Sequence, residues 1–333
     1  MNTKEKLLEI FEKDKGIYFS GEEIAEKLSV SRAAVWKAVN SLRSDGYRID
    51  AIQNKGYCLS ESTDILSAQG IRKYLEPLCS GIKLDVLAVT ESTNSDLRKQ
   101  ASAGAPEGSC IIAGSQTKGK GRVGRSFYSP CDTGIYMSLL LRPEHCAAQQ
   151  AVKLTTMAAV AVCEAIEKVS GEAALIKWVN DIYMNGKKVC GILTEASFSL
   201  ESRMLDYAVL GVGINAYLPD GGFPGELEKI AGAVFKQPQS DGKNMLAAEF
   251  LNSFMRIYRQ TDEGEYVRQY RTRSFLIGKG VGVLLPEGTR RARVLDVDEN
   301  CHLVVEYDNG ETAQLSSGEV SLDISGLRNS GEL

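Results

Sequence analysis

Residues 114–125 read Gly-Ser-Gln-Thr-Lys-Gly-Lys-Gly-Arg-Val-Gly-Arg, with four glycines and four bases in twelve residues and no acid. A helix or strand is not expected to run through such a segment, because glycine weakens both and clustered like charges repel. The apolar runs on either side, Ser109–Ala113 and Gly134–Leu141, read as buried strands, so the segment is predicted to be a loop between them. Bare glycine backbone brings N–H groups close to an anion, and the bases Lys118, Lys120, Arg122 and Arg125 neutralise it. The pattern reads as an anion cradle suited to phosphate; the competing reading is a solvated basic turn.

Three phosphate motifs nearly fit. Gly114-x4-Gly119-Lys120 begins like a Walker A loop, but Gly121 stands where that loop needs Ser or Thr for magnesium. Gly119-x-Gly121-x-x-Gly124 matches the dinucleotide fingerprint, yet Ser126-Phe-Tyr-Ser-Pro130 follows instead of a helix. A kinase glycine loop needs a downstream H-R-D, which neither His145 nor His302 supplies.

Composition bounds the rest. The 333 residues suffice for two or three domains, and 43% hydrophobic with 25% charged is ordinary for a globular chain. A net charge of −4 excludes a globally basic coat but allows a local basic face. No run approaches the roughly 18 apolar residues of a membrane helix, and the charged start MNTKEKLLEIFEKDKG lacks a signal-peptide core. Eight cysteines without a C-x-x-C pair read as reduced, so the expected location is the cytoplasm. Two histidines argue against a multi-histidine metal site.

The first sixty residues carry a second pattern. Leu7, Leu8, Ile10 and Phe11 form a helical stripe that stops at Gly16. Ser20 and Glu23 have capping-box spacing ahead of a short helix that buries Ile24, Ala25 and Leu28. After a turn at Ser29-Val30, Ser31 can cap a third helix with Val35, Val39 and Leu42 inside. Residues 31–43 carry three bases and no acid, whereas residues 1–30 carry five bases and seven acids. Helix, turn and basic helix is a helix-turn-helix layout, and a hairpin turned at Lys55-Gly56 supplies a wing. Arg32, Trp36, Lys37, Asn40, Arg43 and Lys55 are the expected DNA-facing residues. Residues 61–66 (ESTDIL), polar and then apolar, read as a linker or the start of the next domain.

Further on, residues 90–95 (TESTNS) follow a strand-like run at 84–89; their hydroxyls and amide either cap a helix or bind a neutral polar ligand. Residues 147–169 and 243–274 read as helices, the second with Met245, Phe250, Phe254, Ile257 and Tyr258 inward. Residues 174–178 and 189–195 read as strands around a hairpin at Asn185-Gly186. Lys177 interrupts an apolar strand, so it either meets an anion or points to solvent from an edge. Asn180 and Asp181 offer hard oxygens that suit magnesium or a plain turn. A strand ending in Gly211-Val-Gly-Ile-Asn215 allows close approach to a ligand, and short strands with turns at 286–288, 298–300 and 308–310 make a small barrel.

These residues carry a family resemblance. A winged helix-turn-helix, S-T-N at 92–94, G-K-G-R-V-G-R at 119–125, K-W-V-N-D at 177–181, G-I-L-T-E at 191–195 and G-V-G-I-N at 211–215 occur in order. The chain resembles the bacterial bifunctional biotin–protein ligases that double as biotin operon repressors, over nearly its whole length. The resemblance implies an α+β fold in three parts. These are a winged helix-turn-helix (1–62), a central mixed sheet with helices of the class II synthetase kind (63–274) and a small SH3-like barrel (275–333).

It further implies that biotin is activated with MgATP to biotinyl-5′-AMP and transferred to a lysine of a carboxyl carrier domain. By resemblance Ser92, Thr93, Asn94 and Gln116 meet the neutral rings of biotin. Lys120, Gly121 and Arg122 lie over the adenylate, and Lys177 faces the carboxylate and α-phosphate. Gly191 and Asn215 belong to the pocket, and Asn180 and Asp181 lie near magnesium. Operator DNA is the second partner, and biotinyl-AMP is expected to promote a homodimer. Two positions depart from the family: Lys120 stands where arginine is frequent, losing bidentate phosphate contact, and Val179 replaces a frequent proline. The competing functions are a non-catalytic ligand-sensing transcription factor and a lipoate–protein ligase.

Overall fold

The computed structural model describes residues 1–143, 151–198, 204–259, 263–285 and 288–322. His145, Cys146 and part of the turn read at 286–288 lie outside the described residues.

The N-terminal part forms as its caps dictate. Asn2 caps α1 (Thr3–Lys13) and Ser31 caps α3 (Arg32–Ser44). At α2 (Gly21–Leu28), Ser20 Oγ accepts from Glu23 N at 3.1 Å while Glu23 Oε2 accepts from Ser20 N at 2.7 Å. Such caps contribute about 1 kcal/mol each by satisfying helix-end donors. Leu7, Phe11, Ile24, Val35, Val39 and Leu42 close one core. The hairpin β1 (Ile49–Ile52) and β2 (Gly56–Leu59) pairs Ile52 with Gly56 and forms the wing. Gly56 has φ +100°, and a Cβ there would collide with Phe19 O, so only glycine fits.

Residues 61–66 are not a free linker. Asp64 accepts from Lys243 N at 2.9 Å and from the Tyr217 hydroxyl at 2.5 Å, and Asn244 donates to Ile65 O at 2.8 Å. Their partners lie more than 150 residues away, so of the two readings of this segment the contacts favour the start of the next domain. Helix α4 (Ala68–Arg72) follows.

The central sheet has seven strands: β3 (Lys83–Leu87), β4 (Ser109–Ala113), β5 (Gly134–Leu141), β6 (Leu175–Lys177), β7 (Asp181–Met184), β8 (Lys187–Phe198) and β9 (Leu205–Asn215). Their order is β3-β4-β5-β9-β8-β7-β6, parallel between β3 and β4 and antiparallel elsewhere. The remaining helices are α5 (Thr93–Ser102), α6 (Ala151–Ser170), the single turn α7 (Leu227–Ile230), α8 (Gly242–Arg259) and α9 (Glu263–Arg273). The stretch expected as one helix from 243 is thus two.

One face of the sheet, with Ile112, Met137, Ile192, Leu210 and Val212, packs under α6 and α8 in the main core. On the other face α5 covers Ile111, Leu140, Tyr207 and Val209, with Leu87 at the margin. Beyond α5 that second face is open, and the site lies there.

The C-terminal strands are β10 (Gly280–Leu285), β11 (Gly288–Val297), β12 (Leu303–Tyr307), β13 (Thr312–Leu315) and β14 (Glu319–Leu322). They form an antiparallel sheet in the order β13-β12-β11-β10-β14. Among the described residues β13 and β14 do not pair, so the curl expected as a barrel is open at that seam. Its core residues Val281, Val294, Leu303 and Val305 are continuous with the central core, and the Trp178 indole donates to Cys301 O at 2.9 Å.

Candidate active site and nucleic-acid interface

Strand register builds the floor. Lys177 pairs with Asp181, Asp181 with Gly191, Gly191 with Gly213 and Gly213 with Tyr136, so these residues form one row on the open face. The next row is Leu193, Gly211 and Ser138. The glycines leave space that other groups use. A Cβ on Gly211 would collide with Asn94 Oδ1, and one on Gly213 would stand 2.7 Å from the Phe127 ring.

At one end the wall is neutral and polar. Ser92 caps α5, so residues 92–94 serve as helix start and pocket wall together. Gln116 Oε1 accepts from Thr93 N at 2.9 Å, and Ser138 Oγ lies 2.8 Å from Thr93 Oγ1 and 2.6 Å from Asn94 Oδ1. Asn94 Nδ2 donates to Glu195 Oε2 at 2.9 Å. Asn94 is therefore occupied at both ends by protein groups and shapes the floor, whereas Ser92, Thr93 and Gln116 line the cavity with polar atoms.

At the other end the wall is cationic. Lys120, Arg122, Arg125, Lys177 and Lys188 line the cavity against two carboxylates, Asp181 and Glu319. The loop residue Arg122 donates to Asn180 Oδ1 at 3.0 Å and to Gly318 O at 3.2 Å, tying the loop to the β6–β7 turn and the C-terminal sheet. Arg125 meets Glu319 Oε2 at 2.5 Å. Lys120 lies 4.0 Å from Glu195 Oε1, and Lys188 lies 2.7 Å from Asp181 Oδ1. Burial lowers the pKa of the Lys177 ammonium, opposed by the nearby Asp181 carboxylate and assisted by Lys188. Lys177 does not point to solvent, although β6 is an edge strand.

The cavity encloses about 160 Å³. Sites for drug-sized ligands span roughly 300–1,000 Å³. Phe127, just after the glycine loop, fills the space above Gly213.

Most of the expected site residues come together: Ser92, Thr93, Asn94, Gln116, Lys120, Gly121, Arg122, Lys177, Asn180, Asp181 and Gly191 all line one cavity. Asn215 does not line it; its amide donates to Gly232 O at 3.0 Å and braces the segment after β9. Asn180 and Asp181 are both engaged by protein groups. Asn180 is held by Arg122 and donates to Ile192 O, Asp181 is paired with Lys188, and the described residues hold no cluster of three His, Cys, Asp or Glu side chains. Sequence reasoning missed Phe127, Lys188, Gly318 and Glu319 as lining residues, whereas Gly211 and Gly213 line the cavity at the strand end expected to allow close approach to a ligand.

On the N-terminal part, Arg32, Trp36, Lys37 and Lys55 are exposed, Trp36 by 58%, and Asn40 is half-buried. Arg43 is exposed as well, and its guanidinium donates to Ile49 O at 2.7 and 3.1 Å, which ties α3 to the wing.

A floor with one neutral and one cationic end, a glycine-basic loop above it and a winged helix-turn-helix attached define a nucleotide-using ligase with a DNA-binding module. Residues 86–215 match the biotin/lipoate A/B protein ligase family, residues 3–58 an HTH domain, and residues 276–323 the biotin protein ligase C terminal domain. The chain is 34% identical over 322 residues to the bifunctional ligase/repressor BirA of Bacillus subtilis, covering 92% of this chain and 95% of that protein. The Escherichia coli protein of the same name is 28% identical, with 92% and 94% covered. A mutant biotin protein ligase from Aquifex aeolicus, solved in complex with biotin, superposes with a TM-score of 0.60 at 25% identity, covering 72% of this chain and 97% of that one. The chain belongs to the family of bifunctional biotin ligase/repressors.

Proposed function

We propose that the chain activates biotin with MgATP to biotinyl-5′-AMP, transfers biotin to a lysine of a carboxyl carrier domain, and represses transcription through its N-terminal domain. The observation that carries this is the division of one cavity into a neutral polar end and an end with five cations against two carboxylates. Biotin has a neutral ring system and a carboxylate, and ATP brings phosphates to that carboxylate; the two substrates fit the two ends.

In the first step a carboxylate oxygen of biotin attacks the α-phosphorus. The bond to the bridging oxygen breaks, and pyrophosphate leaves with its electron pair. Two anions must meet, so the barrier falls through charge neutralisation and alignment rather than through a general base. Lys177 rises from the floor row to meet the carboxylate and the α-phosphate. Lys120, Gly121 and Arg122 close over the nucleotide, which excludes water and protects the mixed anhydride from hydrolysis. In the second step the acceptor amine attacks the carbonyl carbon, AMP leaves, and the amine proton passes to solvent. Ser92, Thr93 and Gln116 hold the ring end. Asn215 acts only indirectly, by bracing the segment after β9. Magnesium enters as part of the nucleotide substrate and neutralises phosphate charge there.

Operator DNA would meet α3 through Arg32, Trp36, Lys37 and Asn40 and the wing through Lys55. A homodimer formed with biotinyl-AMP bound, and residence in the cytoplasm, complete the reading. The reduced cysteines are consistent with the latter, and no described helix is long and apolar enough to cross a membrane. The test is release of radiolabelled pyrophosphate from ATP with and without biotin, followed by transfer to an acceptor domain. Biotin-dependent release and transfer support the ligase. No release from folded protein leaves a ligand-sensing DNA binder, and preference for lipoate over biotin makes it a lipoate ligase.

A further inference from the structure

Glu195 has no part in the chemistry above, yet it stands beside the neutral end of the cavity. Alternation along β8 puts Gly191, Leu193 and Glu195 on the open face. Glu195 Oε2 accepts from Asn94 Nδ2 at 2.9 Å, and the second proton of that amide goes to Leu193 O at 3.3 Å. A carboxylate and a carbonyl can only accept, so they fix which end of the Asn94 amide is nitrogen. Asn94 Oδ1 then faces Ser138, which is fully buried, and takes its hydroxyl proton at 2.6 Å. A serine has one proton to give. The 2.8 Å contact between Ser138 and Thr93 Oγ1 is therefore made by the Thr93 proton, which points down to Ser138. Gln116 Oε1, 3.2 Å from Thr93 Oγ1, accepts from Thr93 N at 2.9 Å. Both oxygens keep a lone pair, and both residues line the cavity.

The chain of hydrogen bonds runs the other way only if the Asn94 amide turns over. Ser138 would then donate to Thr93 and Thr93 to Gln116, and the two acceptors would be consumed. We propose that Glu195 is a positioning residue: its carboxylate fixes the direction of the Asn94–Ser138–Thr93 chain, so that the neutral end presents acceptors and selects a ring that donates N–H. A cyclic urea does so, and a dithiolane does not. A charged acceptor holds an amide N–H more strongly than a neutral carbonyl, so of the two anchors Glu195, not Leu193 O, keeps the order. Arg98 at 3.3 Å and Lys120 at 4.0 Å hold the carboxylate from its other oxygen. The order is set before a ligand arrives, so binding does not have to reverse it. The inference rests on the biotin-activating reading of the cavity.

The experiment uses the full chain. Biotin binding is measured by calorimetry for the wild type, Glu195→Gln, Thr93→Val and the double variant. The KM for ATP and the turnover at saturating biotin are read from pyrophosphate release. Folded wild type that binds no biotin sinks the biotin-activating reading, and the inference with it; the remaining outcomes bear on the inference alone. Glutamine keeps the shape of Glu195 but can offer Asn94 either an oxygen or an N–H, so the order is no longer enforced. The expected result is a biotin Kd about tenfold or more weaker in Glu195→Gln, with the KM for ATP and the turnover each within about twofold. Thr93→Val removes the acceptor that the order serves, so adding Glu195→Gln to it should weaken biotin binding by about twofold or less. Wild-type biotin affinity in Glu195→Gln overturns the proposal. An additive loss in the double variant also overturns it, because Glu195 would then act otherwise than through Thr93. A rise in the KM for ATP that matches the loss of biotin affinity overturns it as well, because Glu195 would then act through Lys120 and the loop.

Discussion

Two clusters of charged side chains in this molecule differ in one respect that separates structure from function. At the junction of the N-terminal and central parts, Glu12, Lys15, Lys73 and Asp241 form a closed set. Lys15 Nζ lies 2.7 Å from Asp241 Oδ1 and 3.2 Å from Glu12 Oε2, Lys73 lies 2.9 Å from Glu12 Oε2 and also pairs with Asp241, and Tyr74 donates to Asp241 at 2.8 Å. Two cations meet two carboxylates, and Glu12 and Asp241 are only 2% and 3% exposed. In the cavity five cations line the wall with two carboxylates, and a third carboxylate, Glu195, lies 4.0 Å from Lys120. A buried charge is tolerated when it is paired, so the balanced cluster is complete without a ligand. The unbalanced one is complete only with anions. The balance of charge, not the number of ion pairs, marks the binding site.

The strongest break of this comparison is Lys177→Ala. Removing the cation at the reacting atoms should lower biotin-dependent pyrophosphate release by about a hundredfold or more, while the melting temperature hardly changes. Near-normal turnover would remove Lys177 from the chemistry. Asp241→Ala should do the opposite. Leaving Lys15 and Lys73 without their shared partner should cost about 3–5 kcal/mol of stability in denaturant unfolding, with residual ligase activity in the folded fraction. A loss below about 1 kcal/mol would show that the junction is not held by this cluster. Arg122→Gly should keep adenylation but release biotinyl-AMP about tenfold faster or more, because the loop loses its ties to Asn180 and Gly318. Tight retention in a release assay would refute that role. Trp36→Ala should weaken operator DNA binding by about tenfold in a gel-shift titration at fixed salt, with ligase turnover unchanged.

The smallest effect is pH-dependent. Burial raises the Asp241 carboxyl pKa, but hydrogen bonds from Lys15, Lys73 and Asn244 outweigh burial and hold it below the usual carboxylate value. A folded pKa below the unfolded one contributes stability that is present above about pH 4 and is lost as pH falls through the folded value. Small-angle scattering should therefore show the N-terminal part docked at about pH 6 and separating only as pH falls below the ordinary carboxylate value of about 4 and Asp241 takes up its proton. Docking unchanged to the acid limit would mean that packing alone holds the junction.

Much of this was legible locally. Ser20 with Glu23 and the capping hydroxyl of Ser31 act within one turn of helix, so their sequence spacing fixes their partners. Asn185 and Gly186 take left-handed backbone, as a tight hairpin requires, and join β7 to β8. The glycine-basic loop could be nothing else, because its composition forbids regular structure. What could not be read out shares one property. Arg43 is outward on its helix and exposed, but its tie to Ile49 O comes from the wing that returns to it. Residues 61–66 read two ways because their partners, Tyr217, Lys243 and Asn244, come from distant elements.

The sequence by itself determined most of the helices and strands, several of their caps and turns, and that a glycine-basic loop suited to an anion joins β4 to β5. Those follow from side-chain chemistry acting over a few residues. Only the tertiary structure decided which cations reach that anion and which are spent on the protein. Lys188 enters the cavity because of a bulge that hydrophobic alternation does not announce. Glu319 and Gly318 close the rim from nearly 200 residues away, and Asn180 and Asp181 are taken by Arg122 and Lys188. Strand register and long-range docking set these pairings, and a charge cannot be assigned to a ligand until its protein partners are known.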